Sequence, residues 1–137
     1  MSGAEAELTQ PPTNAKPELQ HLCMEQLAIV ERYERFVDYA YPIMLGIRRA
    51  HYIARDRAMA AMLDQVGLFN EAGKAGTLTK LYAADAGLAS LRFYLRFFAA
   101  PGRKLISLHQ HQTAAIHLAE TGRMLGAWIR RAQAAKR

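Results

Sequence analysis

The amino-acid sequence predicts an all-α protein that folds as an antiparallel up-and-down four-helix bundle. Four segments repeat apolar residues at the helical spacing, and no stretch shows the strict alternation of a half-buried strand. Short connections separate these segments, which places successive helices antiparallel. The chain has 137 residues, the size of one domain. We interpret residues 1–18 as a disordered N-terminal tail, because proline and small polar residues occur there without an apolar period, and residues 19–137 as the bundle domain.

The first predicted helix lies between Leu19 and Gly46, where glycine and proline are sparse. Pro42 lacks the N–H that would bond to the carbonyl of Asp38, so we expect a kink there rather than two helices. The predicted apolar face comprises Ile29, Val30, Tyr33, Phe36, Val37, Ala40, Tyr41, Met44 and Ile47.

The second predicted helix begins near Arg55 and ends between Gly73 and Gly76, where two glycines favour a stop. Its apolar residues follow the helical period, so we expect them to lie in the core. These residues are Met59, Met62, Leu63, Val66 and Phe69.

The third predicted helix begins at a cap formed by Thr77 or Thr79, and Pro101 with Gly102 ends it. Steps of three and four residues place six apolar side chains in one seam. The seam comprises Leu81, Ala84, Leu88, Leu91, Leu95 and Phe98.

The fourth predicted helix runs from about Ser107 to Ala132. Gly122 and Gly126 have no side chains, which would allow a neighbouring element to approach this helix closely. One face carries Ala114, Leu118, Thr121, Gly122, Leu125, Trp128 and Ile129.

The chain is basic, since 18 lysines and arginines oppose 12 acidic residues and give a formal charge of +6. From Leu91 onward nine basic residues oppose a single acid, Glu120, which favours a polyanionic partner. A series of like charges on a helix usually forms a solvated face. An ordinary solvated face carries charges of both signs, however, whereas this segment carries almost only positive ones. Two candidate binding residues in the middle of the third predicted helix are described in the next paragraph. The other candidates are Arg48, Arg49, Arg55, Arg57, Lys74, Lys80, Arg123 and Arg130.

Arg92 and Arg96 lie four residues apart on the third predicted helix, between the leucine seam and a second apolar stripe. Two interpretations are open. The pair belongs to a solvated edge on which Asp85 contacts Arg92, or it forms a site for a protein or a phosphate.

The second apolar stripe contains Tyr82, Ala86, Phe93 and Phe97. The core of a single bundle cannot contain both this stripe and the leucine seam. Either neighbouring helices partly cover it, or it forms an interface between subunits. We favour a homo-oligomer with Tyr82, Phe93 and Phe97 in its interface.

Catalytic and metal chemistry have little support in the sequence. Cys23 is the single cysteine, which suits a reducing compartment, and no nucleophile or phosphate-loop motif occurs. His109 and His111 point apart on a helix, so we expect no metal site and no cofactor. No signal peptide or membrane span is indicated. We therefore expect a soluble cytoplasmic protein that is not an enzyme.

Five stretches of the chain resemble the accessory variability determinant (Avd) family of diversity-generating retroelements. They are residues 29–35 (IVERYER), 39–43 (YAYPI), 80–88 (KLYAADAGL), 91–97 (LRFYLRF) and 122–129 (GRMLGAWI). The resemblance extends over about residues 22–131 and leaves out the N-terminal tail and the loop from Pro101 to His111.

The resemblance implies a four-helix bundle that assembles into a barrel-like homopentamer without catalytic activity. It implies binding to the retroelement reverse transcriptase and to RNA or DNA, in support of mutagenic cDNA synthesis and retrohoming. The two family arginines that matter for partner binding correspond to Arg92 and Arg96. An alternative is the related RNA-binding four-helix protein of 23S rRNA intervening sequences, which has no reverse-transcriptase partner. A third interpretation is a structural oligomer whose charge only keeps it soluble.

Overall fold

A computed structural model of the chain describes residues 17–136 as four long α-helices joined by short connections. The helices are α1 (Pro17–Leu45), α2 (Tyr52–Ala75), α3 (Leu78–Ala99) and α4 (Leu108–Lys136), and a 3-10 turn (Arg49–His51) precedes α2. Each helix packs against the next one in the chain, and α4 closes the ring against α1. No strand occurs in the described part, so the predicted all-α four-helix bundle is confirmed.

The helix starts differ slightly from the predicted ones. Helix α1 begins at Pro17 and continues through Pro42 to Leu45, so Pro42 does not divide it into two helices. Helix α2 begins at Tyr52, three residues before the predicted start at Arg55. Apart from its last two residues, the segment interpreted as a tail lies outside the described residues, and so does Arg137.

The leucine seam of α3 lies at the centre of the bundle, as predicted. All six of its side chains are buried, and none is more than 3% exposed. Each fully buried leucine of the seam contributes about 1.5–3 kcal/mol to the stability of the fold. Large aromatic side chains from the other three helices complete the core. The largest of the aromatic side chains are Tyr33, Phe36, Phe69 and Trp128.

Two predicted core residues are exposed. Leu63 on α2 is 53% exposed and Tyr41 on α1 is 38% exposed. Each follows a buried residue directly in the sequence, Met62 and Ala40, and is therefore rotated by about 100° away from the core. In a ring of four helices each helix buries only a narrow stripe, so this rotation is enough to place a side chain in solvent.

Local hydrogen bonds define the helix ends. Gly76 ends α2 in the left-handed conformation, with a φ of 63°, and its N–H donates to the carbonyl of Ala72 at 3.0 Å. The cap of α3 is Thr77 rather than Thr79, because the Thr77 hydroxyl accepts from the Lys80 N–H at 3.4 Å.

The start of α4 carries a reciprocal cap. The Gln110 N–H donates to the Ser107 hydroxyl at 3.0 Å, and the Ser107 N–H donates to Oε1 of Gln110 at 2.9 Å. The two bonds together fix the direction in which the chain leaves the α3–α4 connection.

Two buried polar side chains join neighbouring helices. The Tyr33 hydroxyl of α1 donates to the Met62 carbonyl of α2 at 2.6 Å, and burial raises the pKa of this phenol above its ordinary value. Gln65 of α2 is completely buried and its Nε2 donates to the Ala84 carbonyl of α3 at 2.8 Å. The sequence analysis did not place Gln65 in the core, because a polar residue on an apolar face carries no periodic signal.

Candidate functional site

Arg92 and Arg96 lie on the side of α3 that faces α4. Arg92 is half-buried and Arg96 is exposed. Nη2 of Arg92 lies 2.7 Å from the position that a Cβ atom would occupy on Gly122 of α4. The absent side chain of Gly122 therefore leaves the space in which the Arg92 guanidinium packs. This confirms the predicted close approach at Gly122.

Neither arginine of this pair is neutralised within the described residues. No carboxylate of residues 24–136 forms an ion pair with Arg92 or Arg96, and the contact between Asp85 and Arg92 that a solvated edge would favour is not formed. A half-buried guanidinium without an anion is costly, because its charge is partly removed from water. The pair is therefore suited to bind an anionic group from another molecule.

The two arginines of α4 that were predicted to bind a partner differ in how they are partnered. Arg123 is exposed and forms an ion pair with Glu120 at 2.8 Å. Arg130 is exposed and lies along its own helix, with Nη1 3.6 Å from the Cβ position of Gly126. Since no described atom of a neighbouring helix lies within 4 Å of that position, the predicted close approach at Gly126 is wrong for the described residues.

The α1–α2 and α3–α4 connections meet at one end of the bundle, which we call the loop end (residues 46–57 and 100–107). Nη2 of Arg48 donates to the carbonyl of Arg103 at 3.1 Å. Nε of Arg103 donates to the carbonyl of Phe97 at 2.8 Å, and its guanidinium lies 3.8 Å from the centre of the Phe97 ring. The two connections thus form one surface.

The loop end brings four of the predicted binding residues together and adds two that the sequence analysis did not select. The predicted residues are Arg48, Arg49, Arg55 and Arg57, and the additional ones are Arg103 and Lys104. The up-and-down order of the helices could have indicated both, because it places the first and third connections at the same end. Arg55 is the partnered member, with Asp56 at 2.8 Å and the Tyr52 ring 3.7 Å from its guanidinium.

Lys74 and Lys80 lie at the opposite end of the bundle, where α2 ends and α3 begins. Lys80 forms an ion pair with Glu71 at 3.5 Å. The structure therefore does not bring these two lysines together with the loop end or with Arg92 and Arg96.

The second apolar stripe of α3 remains largely uncovered in the single chain. Tyr82 is 48% exposed and Phe93 is 51% exposed, whereas Phe97 is half-buried beneath Arg103. The Tyr82 hydroxyl accepts from Nε2 of Gln133 on α4 at 3.0 Å. Phe93 and Phe97 instead border a shallow groove whose other wall includes Ile53, Ala54 and Arg57 of α2.

His117 of α4 contacts α1. Its Nδ1 lies 3.1 Å from Nη1 of Arg32, and its ring centre lies 5.7 Å from that of Tyr39. Burial and the charges of Arg32 and Arg35 lower the pKa of His117 below its ordinary value. The neutral imidazole is thus favoured, and its Nδ1 can accept a hydrogen bond from the arginine.

Residues 24–136 contain no group of three or more His, Cys, Asp or Glu side chains that could hold a metal ion. Among the residues that the structure describes, no helix combines the length and the apolar character needed to cross a membrane.

Comparison with known proteins gives one family. The model of the family described as bAvd-like matches residues 27–132, which include residues from all four helices and the loop end. No protein with a curated description matches the sequence. Because the match covers well over half of the 137 residues, the chain belongs to the bAvd-like family.

Proposed function

We propose that this protein is the non-catalytic accessory protein of a diversity-generating retroelement. It binds the retroelement reverse transcriptase and nucleic acid through its basic surfaces, and it supports mutagenic cDNA synthesis and retrohoming in the cytoplasm. Membership of the bAvd-like family supports the accessory role. The observation that supports partner binding most directly is the half-buried Arg92 without a carboxylate partner among residues 24–136.

The chemistry of the Arg92–Arg96 face suits a protein partner. A guanidinium binds a carboxylate through two parallel hydrogen bonds, and the interaction strengthens when the surrounding surface excludes water. The Arg92 guanidinium is half-buried against Gly122 of α4, so water is already partly excluded from it. Arginine is one of the residue types enriched in the centres of protein interfaces.

We further propose that the chain assembles into a homopentamer, with Tyr82, Phe93 and Phe97 in the subunit interface. The exposure of Tyr82 and Phe93 in the single chain supports a partner at this stripe. A pentamer would carry a formal charge of +30, five times the +6 of one chain. Nucleic-acid binding by such an assembly would weaken steeply as the salt concentration rises.

Co-purification of this protein with the reverse transcriptase encoded beside it tests the proposal. The experiment is carried out with and without the retroelement RNA, and light scattering gives the mass of the assembly. We expect a stable complex. An oligomer that binds RNA in a salt-dependent manner but binds no reverse transcriptase would indicate the protein class of ribosomal intervening sequences instead. If the protein binds neither RNA at any salt concentration nor the reverse transcriptase, the result would indicate a purely structural oligomer.

A further inference from the structure

The loop end concentrates positive charge with almost no compensation. Its 20 residues include six arginines and lysines and one carboxylate, Asp56. That carboxylate is already paired with Arg55 at 2.8 Å. Arg48, Arg49, Arg57 and Lys104 are all exposed. A surface of this composition attracts a polyanion at distances up to the Debye length.

Elsewhere on the molecule, several basic side chains have acidic partners. Lys80 is paired with Glu71 at 3.5 Å and Arg123 with Glu120 at 2.8 Å, while Arg131 forms an ion pair with Glu25. The loop end thus differs from these surfaces in the balance of charge and not only in the number of cations.

Two cationic side chains of the loop end are held in place by contacts within the chain before any ligand binds, and the backbone is fixed at a third cationic residue. Arg48 and Arg103 each donate to a backbone carbonyl, and the Phe97 ring supports the Arg103 guanidinium. Lys104 has a left-handed backbone, with a φ of 47°, and its N–H donates to the Ala100 carbonyl at 2.8 Å. The Leu105 N–H closes the connection onto the Phe98 carbonyl at 2.7 Å. Fixed side chains lose less conformational freedom on binding.

The surroundings of the two basic surfaces point to different partners. Arg92 is half-buried against Gly122 of α4, and a partly desolvated arginine is typical of a protein interface. The cations of the loop end are instead spread over two connections, which suits the evenly spaced phosphates of a nucleic-acid backbone. Contacts of this kind carry no sequence information.

We propose that the loop end is the nucleic-acid site of this chain and binds the phosphates of a single RNA strand, whereas the Arg92–Arg96 face binds the protein partner. The division between the two surfaces rests on the proposed function, but the RNA site itself does not require it. RNA binding by the chain alone therefore tests the site independently of any reverse transcriptase.

The experiment compares two double variants that change the net charge equally. Arg49→Gln with Lys104→Gln removes two exposed cations of the loop end, whereas Arg35→Gln with Lys136→Gln removes two exposed cations from α1 and the far end of α4. The affinity of each purified protein for a fluorescent single-stranded RNA is measured over a range of salt concentrations. Association with the reverse transcriptase is measured in parallel.

We expect the loop-end variant to bind RNA about tenfold more weakly, with the salt dependence of log K reduced by about 0.7 for each lost phosphate contact. The control variant should retain most of the affinity, and both should still associate with the reverse transcriptase. Equal losses in the two variants, or no loss in the loop-end variant, would overturn the proposal. A loop-end variant that keeps its RNA affinity but loses the reverse transcriptase would assign this surface to the protein partner. If no variant and no parent protein binds the reverse transcriptase, the proposed function fails while the RNA result stands.

Discussion

At the scale of single residues, the structure decides which charges are available to a partner. Arg55, Lys80 and Arg123 all belong to the basic series of the sequence, yet each has an acidic partner within the chain. Arg92 and Arg96 have none among the described residues. The availability of an arginine therefore depends on its neighbours in space, which a count of charges along the chain does not report.

Replacing both Arg92 and Arg96 by alanine should abolish association with the reverse transcriptase. The fold should survive, because neither side chain belongs to the core and neither forms an ion pair with another described residue. Pull-down of the reverse transcriptase measures the effect, and circular dichroism with light scattering checks fold and assembly. An unchanged pull-down would count against the role of this face.

Gly122→Ala should weaken reverse-transcriptase association by displacing Arg92. The new Cβ would stand 2.7 Å from Nη2 of Arg92, so the guanidinium must move. Gly126→Ala is the matched control, because its Cβ would meet only Nη1 of Arg130, at 3.6 Å. Both variants should gain about 0.5–1 kcal/mol of helix stability, as alanine replaces glycine within a helix. Equal pull-down by the two variants would show that the position of Arg92 does not matter.

At the scale of the elements, two buried polar contacts and one charged contact fix how the helices face each other. The Tyr33 and Gln65 side chains join α1 to α2 and α2 to α3. His117 with Arg32 joins α4 to α1. Apolar packing provides most of the stability of such a bundle, whereas directional bonds of this kind favour one arrangement of the helices over others.

Leu91→Ala should lower the free energy of unfolding by about 2–5 kcal/mol, because it leaves a cavity in the seam of α3. Leu91 is fully buried, with no measurable exposure. Leu63→Ala is the control from α2, since Leu63 is 53% exposed and its loss should cost less than about 0.5 kcal/mol. Urea denaturation of both variants gives the comparison. Similar costs at the two positions would mean that Leu63 is covered in the assembly.

The contact between His117 and Arg32 should make stability depend on pH. The folded-state pKa of His117 is lowered, so the unfolded chain takes up a proton first as the pH falls. The corresponding stability is fully present above the ordinary histidine pKa of about 6.5 and is lost as the pH falls towards the lower folded-state pKa. His117→Asn should reduce the loss of unfolding free energy between about pH 7.5 and pH 5. An identical pH profile for the variant would assign the dependence to other groups.

At the scale of the whole molecule, the surfaces that remain open after the bundle has formed determine what it can bind. The loop end is basic, the side of α3 next to α4 carries Arg92 and Arg96, and the outer stripe of α3 is aromatic. The three surfaces adjoin on one molecule but contain different residues. Separate variants can therefore test RNA binding, protein binding and self-association one at a time.

Phe93→Glu should lower the mass of the assembly measured by light scattering. A carboxylate at this position would be buried without a partner if the stripe forms a subunit interface, and burial of an isolated charge is costly. Phe93 is the clearer test than Phe97, because Arg103 covers Phe97 within the same chain. Leu63→Glu is the control, since Leu63 of α2 is equally exposed at 53%. An unaltered mass for Phe93→Glu would remove this stripe from the interface.

The sequence by itself determined the four helices, the buried seam of α3 and the ends of α2 and α3 near Gly76 and Thr77. These features depend on residues within one or two helical turns, where periodicity and capping act. It also determined that Arg92 and Arg96 share a face, since their spacing of four residues fixes this.

Only the tertiary structure decided what lies opposite each face. Arg48 and Arg103 are separated by 55 residues along the chain, yet a hydrogen bond joins them and creates the loop end. Arg92 packs on Gly122 rather than pairing with Asp85, and Leu63 faces solvent although it is apolar. The physical reason is that helical periodicity fixes the direction of a side chain relative to its own helix. The neighbour that it meets depends on the packing of all four helices, which no local pattern contains.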